Sequence, residues 1–140
     1  MNKLYETQED RDNEERIIKA ISERYNISIV MCPPQYQFDA VVIKNGEVDT
    51  MLEIKTRTIS SKTYPTAIIG LNKVLHAHNI KAATNISCNL IVEWDDMVGM
   101  IDIRRFSKVT VGGRSDRGDP RDNSLVAHYP IKHFKTLDLF

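Results

Sequence analysis

The sequence has no apolar run that approaches the roughly 20 residues of a membrane span. It has only two cysteines, Cys32 and Cys88, with no Cys-x-x-Cys pair and no Cys/His cluster. Both sit in apolar surroundings and read as buried free thiols in a reducing compartment. Charge of one sign is also missing: 19 Lys and Arg balance 19 Asp and Glu. That argues against a strongly basic coat for non-specific nucleic-acid binding, although a local basic patch remains open. The first residues, MNKLYETQEDRDNEER, are charged throughout and have no signal-peptide core. A cytosolic protein is expected. There is no internal repeat and no Pro/Gly/Ser-rich linker. One domain over residues 1–140 is expected, long enough for a hydrophobic core.

What is present has the rhythm of a mixed α/β protein. A helix is predicted from about Thr7 to Tyr25, with Thr7 as its cap and Asp10 as the capping-box acid. Ile17, Ile18, Ile21 and Tyr25 follow helical spacing, and Asn26 marks the stop. Strands are predicted over residues 27–32, 38–43 and 48–58. Pro33-Pro34 ends the first, and Asn45-Gly46 joins the other two as a hairpin. Residues 59–65 read as a loop. A second helix is predicted over 66–83, with Ile68, Leu71, Val74, Leu75 and His78 on one side. Strands over 86–94 and 98–103 flank an Asp95-Asp96 turn. Residues 104–124 read as a polar loop, and 125–131 as a last short strand. The order is αβββαββ plus a terminal strand.

The hairpin FDAVVIKNGEVDTMLEIKTRT, residues 38–58, carries charge where a core hairpin should not. Glu53 and Lys55 are two apart and share a strand face, while Leu52, Ile54 and Thr56 take the other. A simple register across Asn45-Gly46 puts Asp39 near residue 52, give or take a bulge. Two acids held close repel unless a cation lies between them. Their oxygens suit a hard ion such as Mg²⁺. A neighbouring lysine adds positive charge beside a water or phosphate oxygen. A Glu-x-Lys on a strand is also a common solvated pattern. Here Asp39 lies between Phe38 and an apolar run, and Glu53 follows Met51-Leu52, where a charge is costly without a partner.

The pairing of FDAVV with LEIKTR resembles the core motif of the PD-(D/E)XK nuclease superfamily, the restriction-endonuclease-like fold. The order αβββαβ from about residue 8 to 94 is similar to that superfamily's core, about two thirds of the chain. Phe38 stands where the motif often has proline. The resemblance implies a mixed central sheet flanked by helices, with extra strands at the C-terminal end. It implies a metal-dependent nuclease acting on DNA that leaves a 5′-phosphate and a 3′-hydroxyl. Asp39, Glu53 and the Ile54 carbonyl would hold Mg²⁺ or Mn²⁺, and Lys55 would orient the attacking water. Many members of the fold pair as homodimers. Small phage-encoded members have a similar glycine- and arginine-rich stretch near the end, and for such a member the location would be the host cytoplasm. A catalytically idle DNA- or protein-binding module on the same fold is the rival expectation.

Superfamily members often place a glutamate on the first helix, which offers Glu14 or Glu15. Glu14, Ile18, Ile21 and Tyr25 form one stripe, whereas Glu15 points about 100° away, so Glu14 is the candidate. The second helix often adds a basic residue, and Lys73 is suitably placed. Tyr64 and Thr56 are weaker candidates. His76 and His78 point in different directions and read as structural, and Trp94 and Tyr129 read as core aromatics. Arg104, Arg105, Lys108, Arg114, Arg117 and Arg121 crowd a glycine-containing stretch that could contact a phosphate backbone. Asp116, Asp119 and Asp122 could instead pair with them locally. Lys73, Arg57, Arg114 and Arg117 are the nucleic-acid contacts expected.

Overall fold

The computed structural model describes residues 7–112 and 124–139. Helix α1 runs Gln8–Tyr25 and begins as expected: Thr7 Oγ1 accepts from the Asp10 amide at 3.1 Å, and Asp10 Oδ2 accepts from the Thr7 amide at 3.0 Å. The reciprocal bonds satisfy two amides that the first turn leaves over. Asn26 ends the helix in the left-handed region at φ 53°.

Strands β1 (Ser28–Met31), β2 (Ala40–Lys44) and β3 (Glu47–Thr56) follow. Asn45 and Gly46 have φ of 53° and 77°, the pair of positive values a tight hairpin turn requires. Lys44 opposes Glu47 and Ile43 opposes Val48, but Val42 opposes Thr50. Asp49 is thus a bulge residue. It shifts the register by one and aligns Ala40 with Leu52.

The stretch 66–83 is not one helix. Residues Thr66–Gly70 form β4, and α2 begins only at Leu71 and ends at Thr84. β4 pairs with β8 (Ser124–Pro130), which pairs in turn with β7 (Lys108–Gly112). Ile68 opposes His128, so the pairing that makes this segment a strand lies far away in the chain. β7 likewise occupies part of the stretch read as a polar loop. Between β4 and β8 in the chain lie β5 (Ser87–Glu93) and β6 (Val98–Asp102). The tail adds β9 (Lys135–Leu137), paired with β6.

The six-stranded sheet has the order β1-β2-β3-β5-β6-β9, and the smaller sheet the order β4-β8-β7. Only β3 and β5 run parallel in the larger sheet, joined by a crossover through β4 and α2. On one face, Ile17, Ile18 and Ile21 of α1 pack with Leu52, Ile54 and Ile91. On the other, Val74 and Ala77 of α2 and Ala127 and Tyr129 of β8 pack with Leu90, Val92 and Ile101. The mixed sheet between two helices with added C-terminal strands is the architecture expected. Trp94 meets Phe134 edge-on at 5.2 Å, and the Tyr129 hydroxyl donates to the Ile103 carbonyl at 2.5 Å, both in the core. Cys32 and Cys88 are buried and free, and desolvation pushes the Cys88 thiol up to about 11. No helix among the described residues is long and apolar enough to cross a membrane.

Candidate active site

The alternation of β3 decides which side chains can meet. Leu52 and Ile54 enter the core under α1, so Glu53 and Lys55 face α2. Glu53 is fully buried there between two ammonium groups: Lys55 Nζ lies 3.3 Å from Oε2, and Lys73 Nζ lies 3.4 Å from Oε1. Lys55 is partly open, its side chain 28 % exposed.

Lys73 projects inward from the first turn of α2. Its ammonium also donates to the Gln37 carbonyl and lies 5.5 Å from the Phe38 ring centre. The inward stripe of α2 is Lys73, Val74 and Ala77, whereas Leu75 and His78 are exposed. Of the expected stripe of Ile68, Leu71, Val74, Leu75 and His78, Val74 and Leu71 do pack inward, but Ile68 belongs to β4 and Leu75 and His78 point outward. The attraction of Glu53 and the late start of the helix together turn Lys73 towards the sheet. Lys73, expected as a nucleic-acid contact, is thus buried against Glu53.

Asp39 lies just before β2 and is buried. Its amide donates to the Leu52 carbonyl at 2.9 Å, as the expected register required, and its Oδ2 accepts from the Ile54 amide at 2.7 Å. A strand residue presents its N–H and C=O on the same edge. The Ile54 carbonyl thus leaves β3 on the side of Asp39, where β2 has ended.

Glu14 is buried on α1, and Glu15 is exposed. Three neighbours locate the first half of the helix. Arg11 Nη1 donates to the Cys32 carbonyl at 3.3 Å, and the Cys32 amide donates to the Asp39 carbonyl at 2.8 Å. Asp10 favours the charged form of Arg57, whose pKa burial lowers. Arg16 grips Glu93 with two bonds of 2.5 and 2.9 Å, and Glu93 sits beside Thr56 in the parallel ladder. The start of α1 therefore crosses the ends of β3 and β5, with Glu14 on its inner side.

Arg57 is half-buried just after β3, its Nη1 donating to the Thr56 carbonyl at 3.3 Å. Arg114 and Arg117 lie outside the described residues, as do Asp116, Asp119, Arg121 and Asp122. Arg104, a further basic residue of that stretch, pairs with Asp102 at 3.0 Å. Thr56 sits at the end of β3, and His76 and His78 bring no second ligand to each other.

Among the described residues no group of three or more His, Cys, Asp and Glu side chains is arranged to hold a metal ion. The donor set at the hairpin is smaller: two buried carboxylates and a strand carbonyl, all oxygen. That chemistry fits Mg²⁺ or Mn²⁺, hard ions that keep several waters and need only one or two carboxylates from the protein.

A mixed sheet between two helices, with an Asp before one strand and Glu-x-Lys on the next, defines the PD-(D/E)XK class. A family model described as "Phage putative PDDEXK endonuclease" matches residues 1–137, and the chain belongs to that family. No curated protein matches it. Among solved structures it is similar to Hjc of Archaeoglobus fulgidus, a Holliday junction resolvase from an archaeal hyperthermophile. The TM-score is 0.60 over 88 % of each chain, at 6 % identity. A likeness at that identity is one of fold.

Proposed function

We propose that the protein is a metal-dependent nuclease that hydrolyses phosphodiester bonds in DNA. The observation that carries the reading is the burial of Glu53 between Lys55 and Lys73, beside an Asp39 carboxylate anchored on the Ile54 amide. Burying two carboxylates at one strand end is costly for a purely structural hairpin.

Asp39, Glu53 and the Ile54 carbonyl would hold Mg²⁺ or Mn²⁺, with Glu14 joining directly or through a water. The ion when bound supplies Lewis-acid polarisation of a phosphoryl oxygen and a more acidic water. Lys55, the more open of the two lysines, would orient the attacking water and stabilise charge that builds on the phosphate. Lys73 holds the inner oxygen of Glu53 and keeps the carboxylate in one orientation. Arg57 lies just past the end of that strand, where a guanidinium would suit the next phosphate. The products are a 5′-phosphate and a 3′-hydroxyl.

The alternative is a catalytically idle DNA- or protein-binding module. It has one observation in its favour: two lysines already compensate Glu53 without any ion.

The deciding experiment is a cleavage panel on plasmid, linear, single-stranded and branched DNA with Mg²⁺ and with Mn²⁺. Branched substrates belong in it because the structurally similar Hjc is a junction resolvase. Asp39→Asn and Glu53→Gln remove a ligand charge at almost constant volume. Cleavage by the wild type that both variants lose supports the nuclease. Binding without cleavage under every condition supports the idle module.

A further inference from the structure

Beyond Arg57 the molecule has a cleft of about 470 Å³ that no step of the chemistry above uses. Its lining combines Arg57, Tyr64, Thr66, Trp94, His128 and Ile131. Clefts that hold small ligands commonly measure roughly 300–1,000 Å³ and are mostly apolar with a few placed polar groups. Arg57, two residues beyond Lys55 and just past the end of β3, is part of this lining. Tyr64 stands at the rim, 62 % exposed.

Tyr64 also borders a second, more open groove, which Lys62 and Lys132 line. Among the described residues no acidic side chain lines either space. Arg57 on one space and Lys62 and Lys132 on the other offer cations to a polyanionic strand, while Glu93, Asp95 and Asp96 line a neighbouring hollow that shares Arg57 and Trp94. Tyr64 is shared by the two spaces.

The loop that carries Tyr64 is fastened at both ends. Asp96 accepts from the Ser61 amide at 2.8 Å and from the Ser61 hydroxyl at 2.7 Å. The Ile131 amide donates to the Pro65 carbonyl at 3.0 Å. His128 is held as well, with Nδ1 2.9 Å from Thr66 Oγ1 and Nε2 2.7 Å from Thr110 Oγ1. The cleft is formed in advance of any ligand.

We infer that this cleft takes one unpaired nucleobase of the strand bound at the candidate active site, stacked against Tyr64. The preferred substrate is then DNA with unstacked nucleotides, such as a single strand, a flap or a branch, over uniform duplex. A base inside a duplex cannot reach such a cleft without leaving its stack. Stacking on an aromatic face tolerates any base, and flanking cations hold the backbone. This inference rests on the nucleic-acid reading of the site, and it concerns binding alone.

The test is equilibrium binding of a fluorescently labelled single-stranded oligonucleotide and of the same sequence as a full duplex. It uses the whole protein in EDTA, where metal-dependent cleavage cannot interfere. Single-strand affinity should exceed duplex affinity. Tyr64→Ala should weaken single-strand binding by about five-fold or more, and leave duplex binding unchanged. Tyr64→Phe should restore it, since the ring is what stacks. Exposed Tyr64 tolerates both changes without disturbing the core. The inference fails if the wild type binds no single strand, if Tyr64→Ala binds it as the wild type does, or if single-strand and duplex affinity fall together. A wild type that binds in this way but cuts nothing with Mg²⁺ or Mn²⁺ would refute the nuclease and leave the cleft's role standing.

Discussion

Lys73 Nζ lies 3.4 Å from Glu53 Oε1, and both side chains are only 3 % exposed. This is an ion pair joining the first turn of α2 to the middle of the sheet. Removing one partner of a buried pair strands the other charge and commonly costs roughly 3–5 kcal/mol, whereas removing both is milder. Lys73→Met should therefore destabilise strongly, reduced somewhat because Lys55 also faces Glu53. Adding Glu53→Gln should recover much of the loss. Urea denaturation of the two single variants and the double variant measures this, and strictly additive losses would show that the pair is not coupled.

Lys55 should separate metal binding from turnover. Lys55→Ala removes a positive charge beside Glu53 but no metal ligand. Divalent-ion affinity by calorimetry should be unchanged or higher. Single-turnover cleavage should fall on the order of 100-fold, the usual cost of one electrostatic group facing a developing charge. Cleavage at the wild-type rate would reduce Lys55 to a partly buried structural lysine.

Glu14 and Glu15 form an internal control. Glu14→Gln should lower cleavage and raise the Mg²⁺ concentration needed for half-maximal rate. Glu15→Gln, on the exposed side of the same turn, should do neither. Equal effects of the two would mean that Glu14 is buried for stability alone.

Arg114→Ala with Arg117→Ala tests the basic stretch before β8. If each contacts a phosphate, the slope of log affinity against log salt should shrink by about 0.9 per lost duplex contact. An unchanged slope would mean that these arginines pair with nearby aspartates.

Much of the local geometry of the candidate site could be read in the sequence because its signals are local. The cap at Thr7 and Asp10 needs residues three apart, and the turn at Asn45-Gly46 needs two residues that tolerate positive φ. The choice of Glu14 over Glu15 needs only the helical period, and the common face of Glu53 and Lys55 only the period of a strand. Other features depended on partners distant in the chain. Thr66–Gly70 looks like the start of a helix until β8 offers it a ladder some sixty residues later. Lys108–Gly112 looks like loop until it pairs with the other edge of β8. The bulge at Asp49, which sets the Leu52 and Ile54 groups that Asp39 meets, depends on aligning Ala40 with Leu52 in the core under α1. Lys73 turns inward because the crossover from β3 through α2 to β5 brings it over Glu53. The cleft beside Tyr64 exists only where the second sheet meets the end of the first. Spacing along the chain fixes side-chain direction within one element. Pairing and burial between elements are decided by the free energy of contacts that no short window contains.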